Sequence, residues 1–315
     1  MSDEHVETIS INEPYLNITC ALGEGPFYDA KSNTLRFVDI IRKELHTVNL
    51  EQGPGSHAVL KLKDSVGVTA NIAGAEHPDN VIMVAAKYGF AKLNTGTGEL
   101  EYLKRVYEGE KAERMRFNDG ICDSRGRFWA GSMNDFHVGE PQPEGTIYRY
   151  DPSGTLQVMI DNVTIPNGMG WSPDERTMYI TDSPTRCIHA YDYEPIVGSI
   201  SNRRVFYSLP EEEKDTVLDG CTVDTDGNVW AAVHEGGRVI KISPEGKVVK
   251  QVKLGAWRIT CPAFGRGGEM FVTTAGVEEG ENAPEGSVGH GAVWRFETGA
   301  KGGHERNMFG VGVAS

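Results

Sequence analysis

The chain has 315 residues, 39% apolar and 24% charged, proportions that allow a sizeable buried core and exclude a disordered polypeptide. A formal net charge of −14 would repel a phosphate backbone or an anionic bilayer, which excludes nucleic acid and membrane as partners and leaves metal cations and neutral polar small molecules. The 38 glycines point to many tight turns between short strands.

Met1 to Pro14 is acidic and polar and lacks the apolar core of a signal peptide. No run approaches the ~18 apolar residues of a membrane span. The five cysteines include no CxxC pair, so they are expected to be small buried residues in a reducing, cytoplasmic setting. Residues 1–14 are expected to be a flexible or ring-closing segment.

From there the chain repeats itself. Short β-rich runs alternate with Gly, Asp, Asn and Pro turns, and helical periodicity is almost absent. One strand of each unit reads Leu35-Arg-Phe-Val-Asp39, Val81-Ile-Met-Val-Ala85, Arg127-Phe-Trp-Ala130, Thr177-Met-Tyr-Ile-Thr181, Asn228-Val-Trp-Ala231 and Glu269-Met-Phe-Val-Thr273. Each has a partner, from Leu45-His-Thr-Val48 in the first unit to Ala292-Val-Trp-Arg-Phe296 in the last. A period of roughly 42–51 residues is that of four-stranded propeller blades. The expected fold class is all-β: a six-bladed β-propeller forming a single domain over residues 1–315, with a central-channel metal site. An extra strand before Gly23 is expected to close the ring against the last blade, removing a free sheet edge.

A second pattern stands just before each unit's first strand. It reads Leu22-Gly-Glu24-Gly-Pro26, Phe117-Asn-Asp-Gly120, Pro166-Asn-Gly168 and Leu218-Asp-Gly220, whereas the other two units offer Ser65-Val-Gly67 and Ile259-Thr-Cys261. Any one Asn-Gly or Asp-Gly pair is more simply a turn. Four in matched positions, without hairpin spacing around them, are better read as ligands. First strands line a propeller's channel, so these side chains would converge there as a hard oxygen cluster of carboxylates and amides. Such a cluster suits one divalent ion, with positions left open for water and substrate.

At this point the chain resembles a known family. Gly23-Glu-Gly-Pro26, Arg116-Phe-Asn-Asp-Gly120 with Gly126-Arg-Phe-Trp-Ala-Gly131, Asn167-Gly-Met-Gly-Trp171 and Asp219-Gly-Cys-Thr-Val-Asp224 are similar to the regucalcin (senescence marker protein) and gluconolactonase family, from about Leu22 to Phe296. The resemblance implies a six-bladed propeller that hydrolyses an aldonolactone with a divalent ion. It implies Glu24, Asn167 and Asp219 as metal ligands and Arg116 and Asn118 as substrate contacts. The implied ion is Ca²⁺, with Zn²⁺, Mn²⁺, Mg²⁺ or Fe²⁺ as alternatives. Regucalcin-like members carry a substrate-contacting Glu where this chain has Phe136. Either Asp135 substitutes from the neighbouring position or the pocket is more apolar.

The expected mechanism has the metal polarise the lactone carbonyl while Asp219 orients or deprotonates water. Arg116 and Asn118 would hold ring hydroxyls, and Asp119 would join them or orient Asn118. The segment Asn134 to Gly145 reads as a lid. The protein is expected to act on a small sugar lactone as a monomer or weak homo-oligomer. Two alternatives stand beside this reading: a paraoxonase-type esterase or phosphotriesterase, and a non-catalytic calcium-binding regulatory propeller. No GxSxG elbow or HExxH helix occurs, which argues against a serine hydrolase or a zincin. Asp224-Thr-Asp-Gly-Asn228 resembles the start of a calcium loop but lacks its terminal Glu, and reads as a turn. His137, His234 and His290 are each more simply surface or core residues than channel ones.

Overall fold

The computed structural model describes residues 6–75 and 80–310. Six sheets follow one another along the chain, antiparallel except where Glu7–Ile11 joins one of them. Their second strands are Thr34–Asp39, Val81–Ala86, Phe128–Asn134, Thr177–Asp182, Val229–His234 and Glu269–Thr274, at the six places where the repeat puts them. These strands are buried on both faces, which is why they read as continuous apolar runs such as Val81-Ile-Met-Val-Ala-Ala86. The outermost strands face water instead, and Ser199–Ser208 is almost wholly exposed. The one α-helix among the described residues is the short Gly109–Arg114.

The first strands are Gly23–Asp29, Val66–Ala70, Met115–Cys122, Pro166–Trp171, Val217–Val223 and Ile259–Phe264. Each touches the first strand of the next sheet, and the sixth touches the first. That closed cycle is a six-bladed β-propeller with these strands innermost. Its hydrophobic core lies in wedges between blades. In one, Val38 and Leu45 pack against Val66, Ile82, Val84 and Leu93 of the next blade. Two blades are further pinned by an Asp that accepts a hydrogen bond from a Trp Nε1 at 3.0 Å, Asp123 from Trp129 and Asp224 from Trp230. Asn228 N donates to Asp224 Oδ1 at 2.8 Å, so the calcium-loop look-alike is a turn held by its own aspartate.

The last blade has three strands, leaving the ladder of Val293–Glu297 open. Two parts of the N-terminal segment divide the work expected of one strand. Leu16 and Val293 exchange backbone hydrogen bonds of 3.0 and 3.1 Å, and Cys20 N donates to Gly291 O at 2.9 Å. Glu7–Ile11 pairs instead in parallel with Val248–Leu254, as a fifth strand on the fifth blade. At the other chain end, Gly303 bridges to Asp224 and Phe309 to Ile72. This C-terminal stretch lies against the turns that follow the inner strands, at one end of the channel.

Candidate active site

Every inner strand slips register against its neighbour at the same level: between Glu24 and Phe27, Val66 and Val68, Phe117 and Gly120, Pro166 and Met169, Leu218 and Cys221, and Ile259 and Pro262. A bulge breaks the two-residue alternation and re-aims a side chain. Six bulges at one level form a ring around the axis, and the oxygen-bearing residues of four of them sit within it. The glycines let the strands come this close. A Cβ on Gly67 would lie 2.0 Å from Asn118 O, and one on Gly168 would lie 2.4 Å from Cys221 N.

Glu24, Arg116, Asn118, Asn167 and Asp219 line one cavity of about 780 Å³, at the channel end opposite the C-terminal stretch. All five are buried, Arg116 to 1% exposure. A hydrogen-bond chain fixes their orientation. Arg116 Nη1 donates to Asn118 Oδ1 at 2.8 Å, and Asn118 Nδ2 donates to Pro166 O at 3.0 Å and Asn167 Oδ1 at 2.9 Å. Asn167 Nδ2 donates to Ser183 Oγ at 2.8 Å, and Ser183 Oγ to Leu218 O at 2.6 Å. Three side chain atoms in this buried set have no hydrogen-bond partner: Arg116 Nε, Arg116 Nη2 and Asp219 Oδ1. Buried polar atoms are normally satisfied, so Arg116 Nη2 and Asp219 Oδ1 are free to meet a ligand.

Two expected members stand apart. Asp119, next in sequence to Asn118, faces a separate cavity of about 20 Å³ with Cys221, Cys261 and Arg306. Asp135 lies behind Arg116, its Oδ1 3.8 Å from Nε. Phe136 is the residue of that pair that lines the large cavity, with Arg116 Cζ 5.0 Å from its ring centroid. The loop after Asn134 therefore overhangs the site. His137, His234 and His290 all line the cavity as well. His234 Nδ1 is 3.2 Å from Asp219 Oδ2, within ion-pair range though not aligned as a hydrogen bond. Ser183 carries no signal in the sequence, and His234, expected to be more simply a surface or core residue, lines the cavity. Both end up at the site because the second strands end at the same level, a signal visible only once strand ends are known.

Burial holds the Glu24 carboxyl well above the usual carboxylate range, and the nearby charges of Asp219 and Asp119 push it further. Burial likewise raises Asp219, with His234 drawing it partly back. Asp119 is pushed up to about 6 by burial, against the opposing pull of its Gly120 hydrogen bond and Arg306. Burial lowers Arg116, which the Asp135, Glu24 and Asp219 charges oppose. Carboxylates crowded in this way call for a cation. Among the described residues no group of three or more His, Cys, Asp and Glu side chains is disposed to hold a metal ion. A donor set here must therefore draw on the Asn167 amide oxygen. The unpartnered Asp219 Oδ1, the Glu24 carboxylate and Asn167 Oδ1 are hard oxygen donors, and they fit a divalent ion.

The family described as "SMP-30/Gluconolactonase/LRE-like region" matches residues 22–276. Regucalcin of Oryctolagus cuniculus is 36% identical over 265 residues, covering 81% of this chain and 84% of that one. A solved luciferin-regenerating enzyme superposes with a TM-score of 0.83 at 29% identity, covering 92% of this chain and 96% of the other. A calcium-binding protein, regucalcin, from Agrobacterium tumefaciens reaches a TM-score of 0.85 over 97% and 99% of the two chains. At 23% identity that likeness concerns the fold alone.

Proposed function

The chain belongs to the SMP-30/gluconolactonase/LRE-like family, and from that premise and the chemistry of the cavity we propose that it is a divalent-metal-dependent lactonase acting on a sugar lactone. The observation that carries the proposal is the unpartnered Asp219 Oδ1, buried beside Glu24 and Asn167 in a cavity that Arg116 and Asn118 also line. Glu24, Asn167 and Asp219 would hold the ion, which when bound supplies Lewis acidity to a carbonyl oxygen.

The chain's own residues do the rest. Asp219 accepts the proton of the attacking water through a carboxylate oxygen. Arg116 presents Nη2 to ring hydroxyls, while its Nε faces Asp135. Asn118 has given both Nδ2 hydrogens to the protein, so it can only accept, through the second lone pair of Oδ1. Ser183 turns the Asn167 amide so that its oxygen, not its nitrogen, faces the cavity. The overhanging Phe136 limits the access of bulk water. The five cysteines are all unpaired, which supports a cytoplasmic, reducing setting.

The test is acid release from a panel of aldonolactones after chelation and readdition of single divalent ions. Chelated protein is expected to be inactive and to recover with at least one ion. Asp219→Ala and Glu24→Gln are expected to abolish turnover at saturating metal while the far-UV spectrum is retained. Retention of most activity by either variant would refute the single-ion site.

A further inference from the structure

The large cavity has two different ends. Its buried polar groups are gathered on the floor at the bulge ring, whereas one stretch of the wall above is apolar. Ile41, Ile165, Val217 and Val277 line it half-buried, and Phe136 is 39% exposed. Arg42, His137, Glu278 and Glu279 also line this space, while two further polar side chains have their polar ends spent within the protein. Arg258 is paired with Glu235 at 3.0 Å and Glu281 at 2.7 Å, and His290 Nε2 lies 3.1 Å from Ser287 Oγ. Apolar side chains left half-open around one concave space mark a place where an apolar group is bound. The volume of about 780 Å³ is also within the range for drug-sized ligands, about 300–1,000 Å³, and a single lactone ring on the floor would leave much of it empty.

We infer that the substrate is a lactone carrying an apolar arm of several carbons, its ring on the polar floor and its arm along the wall under Phe136. The inference rests on the lactonase reading for the ring and on the wall for the arm. Phe136 is then a specificity-determining residue. Its ring lies over the Arg116 guanidinium and presents its outer surface to the arm, so the position selects for an apolar substituent where a carboxylate would select for hydroxyls.

The test uses lactams, which keep the ring and carbonyl but resist hydrolysis. Binding of δ-valerolactam and its propyl, pentyl and heptyl derivatives, substituted at the ring carbon beside nitrogen, is measured calorimetrically on the metal-loaded protein. Affinity is expected to rise about three- to fourfold per buried methylene, until the arm reaches the mouth. In Phe136→Ala the heptyl compound should lose about tenfold or more, and δ-valerolactam less than twofold. An affinity that does not change along the series in the unaltered protein overturns the inference without reference to any variant, as does an equal loss for both compounds in Phe136→Ala. A rising series in a protein that hydrolyses no lactone would uphold the wall and refute the lactonase reading. Turnover of plain aldonolactones with a flat series would do the reverse.

Discussion

Arg116 is buried with Nη1 bonded to Asn118, Nε facing Asp135 at 3.8 Å and Nη2 left open to a bound partner. A hydrogen bond from a charged donor contributes roughly 1.5–3 kcal/mol. Arg116→Ala is therefore expected to lose on the order of 10- to 150-fold in kcat/KM on a ring-hydroxylated lactone. A lactone without ring hydroxyls should lose far less, and equal losses on both would place Arg116 at the transition state or in the fold. Asp119 makes a different prediction, since it faces the second cavity. Its folded pKa of about 6 exceeds the unfolded value of about 3.9, so the folded state holds the proton more tightly. The stability this contributes is complete below about pH 4 and is lost as pH rises through 6. Asp119→Asn keeps an acceptor for Gly120 N, which donates to Oδ1 at 2.7 Å, but has no charge to bury. In metal-free protein it should match the parent near pH 4 and exceed it by about 2–3 kcal/mol above pH 6, as read by denaturant unfolding at each pH. An equal difference at both would show that Arg306 already neutralises Asp119. The neighbours Asn118 and Asp119 could be named as candidates from their motif. Their division between two cavities could not, because it depends on which side of the bulge each faces.

The inner strand is the element that builds the site, and its bulge is what the Gly of each motif serves. At Gly67 the strand of the second blade passes against Asn118 O, where an added Cβ would sit 2.0 Å away. That contact is with backbone and cannot be relieved by a rotamer change. Gly67→Ala is expected to destabilise by about 3 kcal/mol or more and to disturb Asn118, lowering kcat/KM even where the variant folds. A variant with unchanged thermal midpoint and kinetics would show that the strands can separate freely. In the sequence the glycines mark ligand positions. In the second blade, which offers no ligand, Gly67 is still required, so close approach of strands is the more general reason for the pattern. The Phe136 position was legible as a departure, with two outcomes left open. The structure favours the more apolar pocket, because Asp135 is turned behind Arg116 and Phe136 faces the cavity.

At the scale of the whole ring, closure depends on a short segment near the N-terminus. Glu7–Ile11 is largely exposed on the fifth blade, whereas Leu16 and Cys20 are buried at 5% and 2% exposure against the last. Removing residues 1–12 should lower the thermal midpoint by only a few degrees. Removing 1–21 also uncovers Phe271 and Val293, which share a core cluster with Leu16 and Cys20, and should cost at least about 10 °C. Equal losses from the two truncations would move the closure to the outer strand. The sequence by itself determined the six units and the strands buried between blades, and it marked the position before each inner strand, because burial on both faces and that motif are written locally and repeated. Only the tertiary structure decided which end of the channel each side chain meets, that Ser183 and His234 join the site, and which N-terminal piece closes the ring. Those outcomes depend on strand ends and bulges that bring together residues from different blades, and separation along the chain does not encode that distance.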